Sequence, residues 1–179
     1  MADFLNPESV IDTWDVRPGE KIADFGCGAG YFSIPLGKRV GHSGKVYALD
    51  IRQEALEATR AKVKLFHMFN VEVVRADLEA INGSTIRNMW VDKVLIANIL
   101  FQAENKKQLI EEAFRILRPG GKIILVEWEE GQGPAGPSTD HKIGKSEAQE
   151  MLISSGFVAY KEFAAGSHHY GLIYIKPEK

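Results

Sequence analysis

The chain has 179 residues, 45% hydrophobic and 26% charged, which suits one folded domain with a sizeable core and excludes a disordered or low-complexity polymer. Its 22 basic and 24 acidic residues leave a net charge of −2, too little for long-range capture of a polyanion, and the single cysteine, Cys27, excludes an internal disulfide and a cysteine metal cluster. No apolar run approaches the roughly 20 residues of a membrane helix, and Met1 to Pro7 lacks the basic and apolar regions of a secretory leader, so a cytoplasmic protein without membrane insertion is expected.

In chain order, Pro7 near a first helical position opens a short helix reaching about Trp14, and Arg17-Pro18-Gly19 ends it in a turn. Lys21 to Phe25 reads as the first strand, followed by a glycine-rich loop and a helix over Tyr31 to Val40. Gly41 to Gly44 is a loop, and Lys45 to Asp50 is a second strand whose Val46-Tyr47-Ala48-Leu49 run suits a buried parallel position. Gln53 to Phe69 reads as a long helix, Val71 to Arg75 as a third strand, and Val91 to Asn98 as a fourth. Leu109, Ile110, Ala113, Phe114 and Leu117 form one stripe of a helix over Asn105 to Leu117, broken by Arg118-Pro119-Gly120-Gly121. Lys122 to Trp128 is a fifth strand, Glu129 to Ile143 a Gly/Pro-rich loop, and Lys145 to Ser155 a helix. Phe157 to Phe163 with Tyr170 to Lys176 makes a closing antiparallel pair. Strands alternating with helices imply a doubly wound α/β sheet with right-handed crossovers.

The most informative stretch is Asp24-Phe25-Gly26-Cys27-Gly28-Ala29-Gly30-Tyr31. Alternate glycines bend the backbone sharply and admit a ligand closer than a β-carbon would allow. The spacing departs from Gly-x-Gly-x-x-Gly, and an aspartate at the strand end repels a pyrophosphate but suits a ligand carrying an amino group and a sulfonium cation. That favours S-adenosylmethionine over NAD. The stretch resembles motif I of the class I, Rossmann-like S-adenosylmethionine-dependent methyltransferases, and the likeness extends from about Val16 to Trp128.

The resemblance implies a three-layer sandwich around a seven-stranded, mostly parallel sheet of order 3-2-1-4-5-7-6, with the seventh strand antiparallel. It also implies that Asp24, Gly26, Gly28 and Gly30 face the methionine portion of the cofactor. Ligands of open α/β sheets bind beyond the carboxyl ends of the strands. There Asp50, about twenty residues after the glycine loop, can accept both ribose hydroxyls, and Ile51 can press on the adenine face. By resemblance Asp77 accepts from the adenine amine and the Leu78 N–H donates to a ring nitrogen. Tyr31 and Phe4 are candidates to cover the cofactor, and Asn98 stands at the edge of the methyl-transfer centre. The product would be S-adenosylhomocysteine.

On the acceptor side, Asn98, Glu127, Trp128 and His141 come from strand ends or the loop after the fifth strand, with Glu127 or His141 as a general base if the acceptor is protonated. No metal site is expected; His168-His169 would need partners that the sequence does not identify. The segment Glu127 to His141 loosely resembles the ubiquinone/menaquinone biosynthesis type of methyltransferase, which implies a small-molecule acceptor. RNA or protein acceptors stay open, as do a homo-oligomer, a non-catalytic S-adenosylmethionine-binding module and an NAD-dependent oxidoreductase, the last opposed by the glycine spacing. The whole chain, 1–179, reads as a single domain with an N-terminal cap over 1–15 and an acceptor-side loop over 129–143.

Overall fold

The computed structural model describes residues 5–130, 137–138 and 141–178. Strands β1 (Lys21–Phe25), β2 (Lys45–Asp50), β3 (Val71–Arg75), β4 (Val91–Ala97) and β5 (Leu117–Trp128) run parallel, and β6 (Val158–Ala164) and β7 (His169–Ile175) complete the sheet. The order is β3-β2-β1-β4-β5-β7-β6, with β7 antiparallel to both of its neighbours. This is the sheet that the family resemblance implies. The chain order reverses between β1 and β4, so a crevice opens there at the carboxyl ends.

The strands are apolar because both faces are covered. Ala23, Phe25, Ile96, Leu125 and Leu172 face α4 (Lys106–Ile116) and α5 (Lys145–Ser154), in one cluster with Leu109, Ile110 and Leu152. Ile22, Val46, Leu95, Val126 and Ile173 face the other way, with α1 (Pro7–Ile11), α2 (Ser33–Val40) and α3 (Gln53–Leu65) supplying Val10, Leu36 and Leu56. Asn6 Oδ1 caps α1 by accepting the Glu8 N–H at 3.0 Å, with Pro7 in the first turn, where a missing N–H costs nothing. At the amino end of the sheet Asp92 accepts the Lys21 N–H at 2.6 Å and pairs with Arg118 at 2.9 Å, which ties β1, β4 and β5 together far from the crevice.

Two elements differ from their sequence reading. The helix expected to reach Phe69 ends at Leu65: Phe66 leaves helical geometry and His67 turns to φ 52°. Leu65, Phe66 and Phe69 are exposed, so the apolar residues that extend the pattern are not a buried stripe. The other case is Arg118-Pro119-Gly120-Gly121, which lies inside β5 and not before it. Leu117 is already extended and pairs with Val91, and a register shift between Val91 and Lys93 absorbs the extra residues.

Helix α4 is held to the irregular segment after β3 by one buried carboxylate. Glu112, 1% exposed, accepts the Ser84 N–H at 2.9 Å and two Arg115 N–H groups at 2.8 and 2.6 Å. Burial alone would raise its pKa, but Arg115 and Ser84 outweigh that and hold it below the ordinary 4.5. A depressed carboxyl pKa contributes stability above the unfolded value that is lost as pH falls through the folded one. Glu112→Gln is therefore expected to cost roughly 1–3 kcal/mol in urea unfolding at pH 7. The gap to the wild type should narrow as the buffer is taken below pH 4.5, where the wild-type carboxylate also protonates.

Candidate cofactor and acceptor site

The glycine loop is fixed by main-chain bonds to the neighbouring strand. Gly26 and Cys27 both donate to the Leu49 carbonyl, at 2.8 and 2.9 Å. Gly26 has φ 71°, and a Cβ there would lie 2.4 Å from Ile99 Cγ2, so glycine is required by conformation and by space. Gly28 has φ 53° and no atom within 4 Å of where its Cβ would stand, which leaves its backbone open to an approaching ligand. Its N–H donates to Asp50 Oδ2 at 3.0 Å and its carbonyl accepts the Thr59 hydroxyl at 2.7 Å. Cys27 is buried, and burial foremost pushes its thiol up to about 12, so it is an inert packing residue.

Asp50 ends β2 with its side chain buried. Besides Gly28, its oxygens accept the Arg52 N–H at 2.9 Å and the Arg52 guanidinium at two distances of 3.2 Å. Burial would raise the pKa of this carboxyl, yet these donors hold it below the ordinary range, so it is ionised at neutral pH. Arg52 was not singled out by the sequence, although an Asp followed two residues later by Arg is the pattern of a local carboxylate clamp.

Beside Asp50 opens a cleft of about 210 Å³. Gly26, Asp50, Ile51, Asp77 and Leu78, all named from the sequence, line it, together with Arg52, Glu79, Ile99, Gln102, Ala103 and Leu109. Asp77 is exposed and closes a turn by accepting the Glu79 N–H at 3.1 Å, while Leu78 is buried. Ile99 to Ala103 enter through a short 3₁₀ helix, Leu100–Gln102, which follows Asn98. One turn of 3₁₀ helix has no periodicity to read, so sequence reasoning missed this wall.

The other named residues stand elsewhere. Asp24 is 2% exposed on the α2 face of β1, where it accepts the Ser33 hydroxyl at 2.5 Å. Burial, and the charge of Asp50 after it, lift its pKa to about 7. Gly30 packs on Thr59. Tyr31 is 70% exposed and turned toward α3, with Lys62 Nζ 4.7 Å from its ring centroid. Phe4 falls outside the described residues, as does part of the loop 129–143. His141 is exposed, its N–H on the Ser138 carbonyl at 3.0 Å.

Three strand ends meet next to the cleft. Asn98 leaves β4 at φ 56°, its N–H on the Val126 carbonyl at 2.9 Å and its Oδ1 buried without a hydrogen-bond partner among the described residues. Glu127 is fully buried, and its carboxylate accepts the N–H groups of Leu100 at 2.7 Å, Trp128 at 3.3 Å and Phe101 at 3.4 Å. Burial still dominates and raises this carboxyl to about 7. Trp128 lies against His169 of β7, ring centroids 4.1 Å apart.

Residues 22–121 match the family described as methyltransferase domain. The chain is 32% identical over 113 residues to a demethylmenaquinone methyltransferase of Bacillus mycoides, a match covering 63% of this chain and 46% of that protein. It is also 32% identical over 119 residues to a ubiquinone/menaquinone biosynthesis C-methyltransferase of Cronobacter sakazakii, covering 66% and 46%. The chain thus spans about half the length of these curated relatives. Among solved structures, a SAM-dependent methyltransferase from Aquifex aeolicus superposes with a TM-score of 0.89 at 24% identity, over 97% of this chain and 90% of that one. A glycine loop clamped to the carboxylate of Asp50, a sheet with an inserted antiparallel β7 and a family match over most of the parallel core converge: the chain belongs to the methyltransferase domain family, the class I S-adenosylmethionine-dependent methyltransferases.

Proposed function

We propose that this chain transfers a methyl group from S-adenosylmethionine to a small-molecule acceptor. The observation that carries the reading is the Asp50 clamp. An ionised, buried carboxylate lines the cleft and fixes Gly28 with its open backbone, and Asp77 and Leu78 line the same cleft. A cleft of about 210 Å³ is below the roughly 300–1,000 Å³ of whole-ligand pockets. It fits one end of an elongated cofactor, the nucleoside, with the rest extending over Gly28 toward Asn98. These residues suit that group: Asp50 can share its oxygens between Arg52 and ribose hydroxyls, Ile51 and Leu78 offer apolar faces to a purine, and Asp77 accepts from an exocyclic amine.

The cofactor supplies an activated methyl group, and the chain's task is alignment. Glu127 holds the turn after Asn98 through the Leu100 and Phe101 N–H groups and also accepts the Trp128 N–H, which makes it a positioning residue. Asn98, with its unpartnered Oδ1 at the end of β4, is the polar group in place to meet the reacting end. His141 and Tyr31 are exposed and receive no role in this reading. The small-molecule acceptor is supported by the two relatives named for quinone-biosynthesis methylation and by the net charge of −2, which offers nothing to attract a nucleic acid.

Calorimetric titration tests the cofactor reading. S-adenosylmethionine and S-adenosylhomocysteine should bind saturably and NAD should not. Asp50→Ala should weaken both ligands by about 10–100-fold, since hydrogen bonds to a charged group are worth about 1.5–3 kcal/mol each. Binding of NAD alone would end the proposal, and turnover is read as S-adenosylhomocysteine release in the presence of a small-molecule extract.

The role given to Glu127 has its own signature. Its folded pKa, about 7, exceeds the ordinary 4.5, so between these values the native state holds a proton that the unfolded chain has released. Stability then falls as pH rises through that window. Glu127→Gln keeps an oxygen for the Leu100 N–H and should flatten that slope in urea unfolding at pH 5, 6 and 8 while leaving S-adenosylhomocysteine affinity unchanged. Asp24, shifted in the same direction, leaves a residual slope.

A further inference from the structure

β7 runs antiparallel to β5, so its first residue, His169, stands at the same edge as the carboxyl ends of the parallel strands, where ligands of such sheets bind. His169 is registered opposite Trp128, and their rings are tilted by 38° with centroids 4.1 Å apart. Val126 and Ile173, nearby on the same two strands, belong to the cluster beneath α1 and α2, so Trp128 and His169 continue that face to the sheet edge. His169 is 5% exposed, and among the described residues neither ring nitrogen has a hydrogen-bond partner. An unpaired buried polar atom costs free energy, and a ligand that supplies the missing partner recovers it. Asn98 Oδ1, also unpartnered, lies two strands away, roughly 10 Å by strand spacing.

The surroundings limit what that partner can be. Burial first, then His168 and Lys142, push the His169 pKa down to about 4, so the ring is neutral at pH 7 and carries one N–H and one lone pair. Lys142, itself buried, donates to the Glu129 carbonyl at 3.1 Å and holds its ammonium 5.9 Å from the Trp128 ring centroid. A cationic ligand is disfavoured beside that charge. A hydroxyl can donate or accept, which matches either tautomer of a neutral imidazole, and a planar ring suits the aromatic wall.

We propose that His169, stacked on Trp128, is the hydrogen-bonding group of an acceptor subsite that takes a small planar molecule bearing a ring hydroxyl. This rests on the methyltransferase reading above, because it places the acceptor beside the methyl-transfer centre.

Phenol and toluene are nearly the same shape and differ in the hydroxyl, so they serve as probes on protein saturated with S-adenosylhomocysteine. Wild type is expected to bind phenol about tenfold more tightly than toluene, the worth of one hydrogen bond, with a shift of the His169 ¹⁵N resonances on phenol addition. His169→Phe keeps the stacked ring and removes both nitrogens; it should bind phenol no better than toluene and keep wild-type S-adenosylhomocysteine affinity. Trp128→Leu should weaken both probes. Equal binding of phenol and toluene by wild type, or undiminished phenol preference in His169→Phe, overturns the subsite. Failure of wild type to bind S-adenosylhomocysteine, with phenol preference intact on the unliganded protein, instead overturns the cofactor reading and leaves the hydroxyl site standing.

Discussion

The Asp50 carboxylate ties together parts of the chain that are distant in sequence. It ends β2, receives the N–H of Gly28 from the loop after β1, and folds Arg52 back over itself at the start of α3. The loop around Gly28 is thereby fixed from two sides, since Thr59 of α3 donates to the Gly28 carbonyl. A glycine loop is the segment most able to wander, because its residues lose the most backbone freedom on folding. A charged acceptor buried at its tip makes one conformation preferable to the rest, and the open backbone at Gly28 follows from that preference.

Asp24, Asp50 and Glu127 are carboxyl groups buried at or near the strand ends, and Asp50 is treated differently from the other two. Asp50 has enough donors to stay ionised. Asp24 has one hydroxyl, from Ser33, and Glu127 has only backbone N–H groups, so burial wins and both are raised to about 7. Keeping Asp24 near neutrality lessens its repulsion with Asp50 across the loop. Of these three buried carboxyls, the one that lines the cleft, Asp50, is the one held ionised.

Most of the parallel sheet was legible in the sequence because buried strands are short apolar runs closed by turn residues, as at Val46 to Leu49 and Lys122 to Trp128. The cofactor side was legible for a related reason. Its residues follow strand ends directly, so placing β1, β2 and β3 places Gly26, Asp50, Ile51, Asp77 and Leu78 in the cleft. What could not be read depends on contacts distant in sequence or on geometry without a period. Tyr31 follows the glycine loop and yet turns outward to Lys62, which only the position of α3 decides. The partners of Glu127 are N–H groups of a 3₁₀ turn 26 and 27 residues earlier, a contact with no local signal. Leu65 to Phe69 continued a helical pattern that the turn at His67 cuts short.

The same contrast separates the two halves of the site. The cleft is lined mainly by residues that directly follow β1, β2 and β3, so the parallel sheet sets their place. Asn98, Trp128 and His169 come from the ends of β4 and β5 and the start of β7, three strands brought together by a crossover and an antiparallel insertion. Trp128 and His169 pack on each other, ring centroids 4.1 Å apart. Such positions can change chemistry without disturbing the sheet.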